Sequence, residues 1–292
     1  MNHPADLISA PTPVSPGRDS SIGGLLLESG KITPENAERV LRMQKELGIR
    51  FGEAAQRLGL ITDADIQQVL ARQFDYPYLQ VGEANYASEL VAAYQPFSPQ
   101  VEKLRAVRSQ LMLRWFARGR KSLVILGVNP GDGASLFAAN LAIVFSQLGE
   151  HTLLVDANLR TPRQHEIFSL PGRQGLSDVL AGRGGLDSVT KVESFVDLSV
   201  LGAGTLPPNP QEMLSRPAFA SLNAQLESSY DVVLYDASAF SIGSDALALA
   251  ARTGGVLLVV RKNHTHLNDI DVMNEQLTQS GAQVVGSVVV DF

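Results

Sequence analysis

A few small residues and three acids carry whatever chemistry this chain can do. An apolar run short enough for a buried strand, Leu123 to Val128, opens into Pro130-Gly131-Asp132-Gly133. Small and apolar residues at helical spacing follow, up to Gly149. A glycine loop between a strand and a helix gathers backbone N–H groups at the positive end of the helix, which suits a phosphate. Ser135 opens the segment after the loop, and Asp156 and Asp236 each end a later apolar run. The motif wants Gly-Lys-Ser, whose lysine neutralises the outer phosphates; here Gly133 is followed by Ala134 and Ser135.

These residues need a scaffold. Thr152 to Asp156, Leu198 to Leu201, Val232 to Asp236, Gly255 to Arg261 and Val284 to Asp291 read as further strands, with helical segments or turn signals between them. The alternation predicts an α/β fold, a doubly wound and mostly parallel sheet with helices on both faces. Ligands on such sheets sit at the carboxyl ends of strands, where Gly133, Asp156 and Asp236 all fall. Val101 to Phe116 predicts a helix with Leu104, Val107, Leu111 and Trp115 on its core stripe, and with Glu102, Arg105 and Arg108 on other faces.

The 292 residues allow one medium domain and a small one. Residues 1–20 lack periodicity and read as disordered. Residues 21–80 form a small all-helical domain, duplicated at an offset of 29: Gly23 matches Gly52, Gly30 matches Gly59, Ile32-Thr33 matches Ile61-Thr62, Val40-Leu41 matches Val69-Leu70, and Gln44 matches Gln73. In each copy a glycine closes a short helix, a threonine caps the next, and the paired apolar positions would pack the copies together. The aromatic stretch from Phe74 to Leu79 is expected to seal this domain. Residues 81–100, aperiodic with two prolines, read as a linker, and 101–292 as the main domain.

Composition narrows the class. The chain is 45% hydrophobic, has no apolar run near 18 residues and opens without a basic-then-apolar leader, so neither a membrane span nor a signal peptide is expected. It has no cysteine, which excludes disulfides and thiolate metal sites and fits a cytoplasmic location. Its net charge of -6 divides into -4 over residues 1–100, +6 over 101–121 and -8 over 122–292, so the basic charge sits in one helix-like segment, either a solvated face or a surface for docking a partner or a membrane. The five histidines show no metal spacing; His264-x-His266 reads as an exposed pair.

The main domain resembles the bacterial tyrosine kinases that accompany an exopolysaccharide chain-length determinant. The resemblance rests on Pro130-Gly131-Asp132-Gly133-x-Ser135 with Ala138-Ala139-Asn140-Leu141-Ala142; on Leu154-Val155-Asp156-x-x-Leu159-Arg160-x-Pro162-x-x-His165; on Gly175-Leu176-Ser177-x-Val179-Leu180; and on Pro207-Pro208-Asn209-Pro210 and Val260-Arg261. It implies a P-loop NTPase fold and ATP or ADP with magnesium. Pro130, Gly131, Asp132, Gly133, Ser135 and Arg261 would bind nucleotide, Ser135, Asp156 and Asp236 would hold the metal, and Asp156 and Asp236 would be catalytic. It also implies a membrane chain-length protein as partner, and homo-oligomers built through Glu102, Arg105 and Arg108; no nucleic-acid partner is expected.

Four departures bear on activity. Ala134 replaces the lysine, and Asn158 replaces the second acid of the family's Asp-x-Asp. Ala237-Ser238-Ala239 stands for Thr-Pro-Pro, and the six tyrosines include no C-terminal cluster. Between residues 122 and 292 only Lys191 and Lys262 remain, neither in a phosphate-binding context. The expected function is therefore a kinase-like protein that regulates or scaffolds exopolysaccharide assembly at the inner membrane through its partner. An active tyrosine autokinase and a cyclic di-GMP-responsive subunit are the alternatives. The last follows from the repeats, which are similar to the MshEN domain of secretion and pilus-assembly ATPases and would place Arg50, Gly52 and Gln73 at a cyclic di-GMP site.

Overall fold

The computed structural model describes residues 21–73, 77–79 and 82–291. The expectations for residues 1–20 and for the Phe74–Tyr76 part of the aromatic stretch lie outside them. The chain divides into two compact units, one ending at Tyr76 and one beginning at Pro77.

The first unit is helical: α1 (Ile22–Glu28), α2 (Pro34–Leu47), α3 (Phe51–Arg57) and α4 (Asp63–Gln73). Its duplication is visible in the backbone, because α1 and α3 are each followed by a left-handed glycine, Gly30 at φ 68° and Gly59 at φ 67°. Thr33 Oγ1 accepts the Asn36 N–H at 3.2 Å. Thr62 and Asp65 cap each other reciprocally, Thr62 Oγ1 accepting the Asp65 N–H at 3.3 Å and Asp65 Oδ2 accepting the Thr62 N–H at 2.9 Å. Lys31, 2.7 Å away, and then Thr62 draw the Asp65 carboxyl down to about 2. Val40 and Val69 share one core with Leu26, Ala54 and Ala55. Leu41, expected beside Val40, is instead 55% exposed: successive helix positions are rotated by about 100°, so only one of the two can face that core.

The second unit runs α5 (Val91–Tyr94), α6 (Pro99–Arg114), β1 (Ser122–Gly127), α7 (Ala134–Ser146), β2 (Thr152–Ala157), α8 (Gln164–Ile167), α9 (Leu176–Leu180), β3 (Thr190–Lys191), β4 (Leu198–Leu201), α10 (Pro210–Ser215), α11 (Pro217–Ser229), β5 (Val232–Ala237), α12 (Asp245–Thr253), β6 (Gly255–Arg261), α13 (Leu267–Gln279) and β7 (Gln283–Val290). The sheet order is β3-β4-β2-β5-β1-β6-β7, every neighbouring pair parallel except β3 with β4. Alternate residues of β1 feed opposite cores, Leu123 and Ile125 on the α7 face and Val124 and Leu126 on the other. Burial on both faces is why these strands read as unbroken apolar runs. The short antiparallel β3 has no such run and carries no sequence signal.

The stretch read as a linker is a correction. Leu90, Ala92 and Ala93 are fully buried in the α7-face core, and Leu79 joins that core rather than sealing the helical unit. Backbone bonds tie the segment down, from Leu79 N–H to Ala93 O and from Ala87 N–H to Ile167 O, each 2.9 Å. The buried Asn140 of α7 completes the attachment: its Oδ1 accepts the Ala92 N–H at 2.9 Å, and its amide donates to Glu89 O at 3.3 Å and Leu136 O at 3.0 Å. Non-periodic contacts of this kind leave no pattern to read in the sequence. Asn140→Ala strands the buried Ala92 N–H, so urea denaturation is expected to show a loss of about 1–3 kcal/mol.

α6 runs two residues shorter at its end than the predicted helix. Trp115 closes it, 2% exposed, with its indole N–H donating to Ser122 O at 2.9 Å.

Candidate functional site

The loop that joins β1 to α7 is held in shape by its own aspartate. Gly131 and Gly133 take φ 86° and 82°, a region glycine enters without a Cβ penalty. Asp132, almost fully buried, accepts the Asn129 N–H at 2.8 Å through one oxygen. Its other oxygen meets His264 Nδ1 at 3.0 Å and the Thr265 hydroxyl at 3.1 Å. Arg261, expected at the nucleotide, donates from Nη1 to Gly131 O at 3.1 Å. The turn after β6 thus clasps the glycine loop from outside. Gly133 precedes α7 and no side chain caps the helix, so its first N–H groups are left to a ligand or to solvent.

Parallel register brings the acids together. Asp156 pairs with Asp236 across β2 and β5, and both are fully buried. Asp236 Oδ1 accepts the Ser135 hydroxyl at 3.1 Å and Oδ2 accepts Gln164 Nε2 at 2.8 Å. Asp156 is bound by the backbone, its Oδ1 accepting the Asn158 N–H at 3.2 Å and its Oδ2 accepting those of Arg163 at 3.1 Å and Gln164 at 2.9 Å. Burial pushes both carboxyls above the usual range. The neighbouring Asp236 charge adds to the shift at Asp156, and the hydrogen bonds named here oppose it at each acid.

Such a pair holds a cation as readily as a proton. The fully buried Gln164 supports that fit, because its Oε1 has no partner among the described residues and can accept from a water on an ion beside Ser135 and Asp236. Among the described residues no cluster of three or more His, Asp or Glu side chains stands ready for a metal, so an ion here would rest on the hydroxyl, the carboxyls and water. Gln164 has no spacing signal and was missed in the sequence.

The two substituted positions have local explanations. Asn158 donates its amide to Thr161 O at 2.8 Å and accepts the Thr161 N–H at 3.0 Å, a turn that an aspartate could only half make. Ser238, buried in the replaced Thr-Pro-Pro segment, donates to Asp245 at 3.2 Å. Asp245 is also gripped by Arg160 through two contacts, so that guanidinium is committed away from the loop.

The remaining predicted residues do not join this site. Arg105 pairs with Glu102 and donates Nη2 to Pro96 O at 2.7 Å, while Arg108 donates Nη1 to Val144 O at 2.7 Å, fastening α6 to α7. Glu102 remains mostly exposed. In the helical unit Arg50 and Gln73 are exposed and Gly52 is buried, with Ile66 Cδ1 only 3.0 Å from where its Cβ would stand. Packing is thus enough to explain a glycine there. His264 holds Asp132, which leaves the expected exposed pair half committed.

No family model matches the chain. Similarity to individual proteins is extensive. The putative tyrosine-protein kinase CapB of Staphylococcus aureus is 31% identical over 202 residues, 69% of this chain and 89% of CapB. The tyrosine-protein kinase wzc of Salmonella typhimurium is 32% identical over 202 residues, and there the chain spans only 28% of the relative's length. Among solved structures, the kinase domain of the Escherichia coli tyrosine kinase ETK superposes with a TM-score of 0.68 at 27% identity, covering 75% of this chain and 85% of that domain. A glycine loop and paired acids placed at the strand ends as the fold requires, together with a relative matched over nearly its whole length, lead to one assignment: the chain belongs to the bacterial tyrosine-protein kinases.

Proposed function

We propose that the chain is a kinase-like, nucleotide-binding subunit that regulates or scaffolds exopolysaccharide chain-length control and export without efficient phosphoryl transfer. The observation that carries this reading is Ala134, the first residue of α7, in a loop whose glycines, serine and acids are otherwise in place. A nucleotide would lay its phosphates on the loop and the uncapped end of α7. Ser135 and Asp236, with Asp156 behind them, would hold magnesium, which when bound neutralises charge on the phosphate oxygens. Asn158 cannot accept a proton from an attacking hydroxyl, and its amide is spent on the Thr161 turn.

One of the six tyrosines is also closed to a phosphoryl donor. The Tyr235 hydroxyl is fully buried, donates to Asn223 Oδ1 at 2.6 Å and has its pKa raised by burial. The partner proposed is a membrane chain-length protein. Attachment to the inner membrane is proposed to run through that partner; among the described residues no helix is long and apolar enough to cross a membrane. Self-assembly through α6 is part of the proposal, with Glu102 as its exposed charge, and the helical unit is proposed as a docking module of the MshEN kind.

The purified chain, given ATP and magnesium, is expected to bind nucleotide while anti-phosphotyrosine blotting and phosphate release stay near background. Robust autophosphorylation would overturn the reading.

A further inference from the structure

The cavity in front of the glycine loop, about 880 Å³, has a second wall. Gln100, Lys103, Leu104 and Val107 of α6 line it, at the three- and four-residue spacing of one helix face, and Gly133, Ala134 and Ser135 line the same cavity. Lys103 therefore carries an ammonium on a flexible stem along the wall of the same cavity that Ala134 lines.

The other charges around the cavity are answered. Arg163 lies 3.9 Å from Glu166 and close enough to Glu89 and Asp236 to favour their ionised forms. Asp132 is held by His264 and Thr265, and Asp291 by Lys262 at 2.7 Å. Among the described residues Lys103 makes no hydrogen bond and no ion pair. An exposed lysine in a mostly apolar cavity, with no carboxylate of its own beside an uncapped helix end, is suited to an anion that comes from outside.

We infer that Lys103 supplies, to the outer phosphates of a nucleotide bound at this loop, the positive charge that Ala134 no longer provides. The inference rests on the nucleotide reading above and deepens it. A loop lysine moves with the phosphates it covers, whereas Lys103 reaches in from a neighbouring helix. It therefore serves binding and leaves phosphoryl transfer unaided. Because α6 lies before β1, a search for a replacement lysine from residue 122 onward does not reach it.

The test is calorimetric titration of the full chain with ATP and with AMP, magnesium present, for wild type, Lys103→Ala, Lys103→Arg, Ala134→Lys and Lys103→Ala/Ala134→Lys. Lys103→Ala is expected to weaken ATP about tenfold and AMP hardly at all, Lys103→Arg to retain most of the affinity, and the double variant to bind as Ala134→Lys does. Thermal melts confirm that the variants fold, as exposure of Lys103 implies. Equal ATP affinity in wild type and Lys103→Ala overturns the inference and leaves the nucleotide reading standing. Wild type that binds nothing while Ala134→Lys binds ATP also overturns it, since the cation is then absent altogether. If neither binds, the nucleotide reading falls with it.

Discussion

Ala134→Lys is expected to raise ATP turnover by the purified chain about 10²–10³-fold, the usual worth of one preorganised donor aimed at charge that develops in the transition state. Every other part of the loop is in place to use it. Gly131 and Gly133 hold their left-handed conformations, Ser135 is bonded to Asp236, and the Ala134 side chain borders a cavity with room for three more methylenes and an ammonium. The new lysine sits at the positive end of α7, so the free protein should lose about 0.3–1 kcal/mol, and bound ATP should restore it. Asn158 is unchanged, so the gain should appear as phosphate released to water rather than as phosphotyrosine. A variant that binds ATP tightly and still turns over at the wild-type rate would show that the absent lysine is not what limits turnover.

Asp236→Asn and Asp156→Asn are expected to move stability in opposite directions at pH 8. Both carboxyls are raised, so the native state keeps protons that the unfolded chain has released above about pH 4. Fewer protons in the unfolded state means that stability falls as pH rises, by up to about 1.4 kcal/mol per pH unit for each proton, between the ordinary aspartate range and the raised values. Asp236→Asn removes one charge from the buried pair. It should flatten this dependence and stabilise the protein at pH 8, where the new side chain can keep an oxygen toward Gln164 Nε2 and donate its amide to the Ser135 hydroxyl. Asp156→Asn cannot repay its losses in that way. Three backbone N–H groups converge on Asp156, and an asparagine turns a donor toward at least one of them, at a cost of about 1–3 kcal/mol at any pH. Urea denaturation at pH 5 and pH 8 measures both effects. Destabilisation of Asp236→Asn at pH 8 would mean that the pair is held ionised and is worth keeping so.

Much of the sheet could be read along the chain. Strands buried on both faces must be apolar without interruption, so the runs beginning at Leu123, Thr152, Leu198, Val232 and Gly255 announce themselves within a residue or two of their observed limits. The helical repeat was as plain, since Gly30, Gly59, Thr33 and Thr62 act within a turn of where they stand. What escaped was the attachment of residues 82–98 to α7, which depends on one buried asparagine and on apolar residues in no repeating pattern. Arg105 and Arg108 were expected from their spacing to serve assembly, and in the folded chain they donate to Pro96 O and Val144 O.

Taken by itself, the order of residues determined what kind of loop stands between β1 and α7 and that its lysine is missing, because loop shape and helix start follow from neighbours in the chain. Only the folded molecule decided that Asp156 stands beside Asp236, that Gln164 bridges Asp236 to Ser135, and that Lys103 shares a cavity with Ala134. These are meetings of residues roughly 30 to 80 positions apart. Strand register and the packing of α6 and α7 set them, and no local preference of the backbone encodes either one.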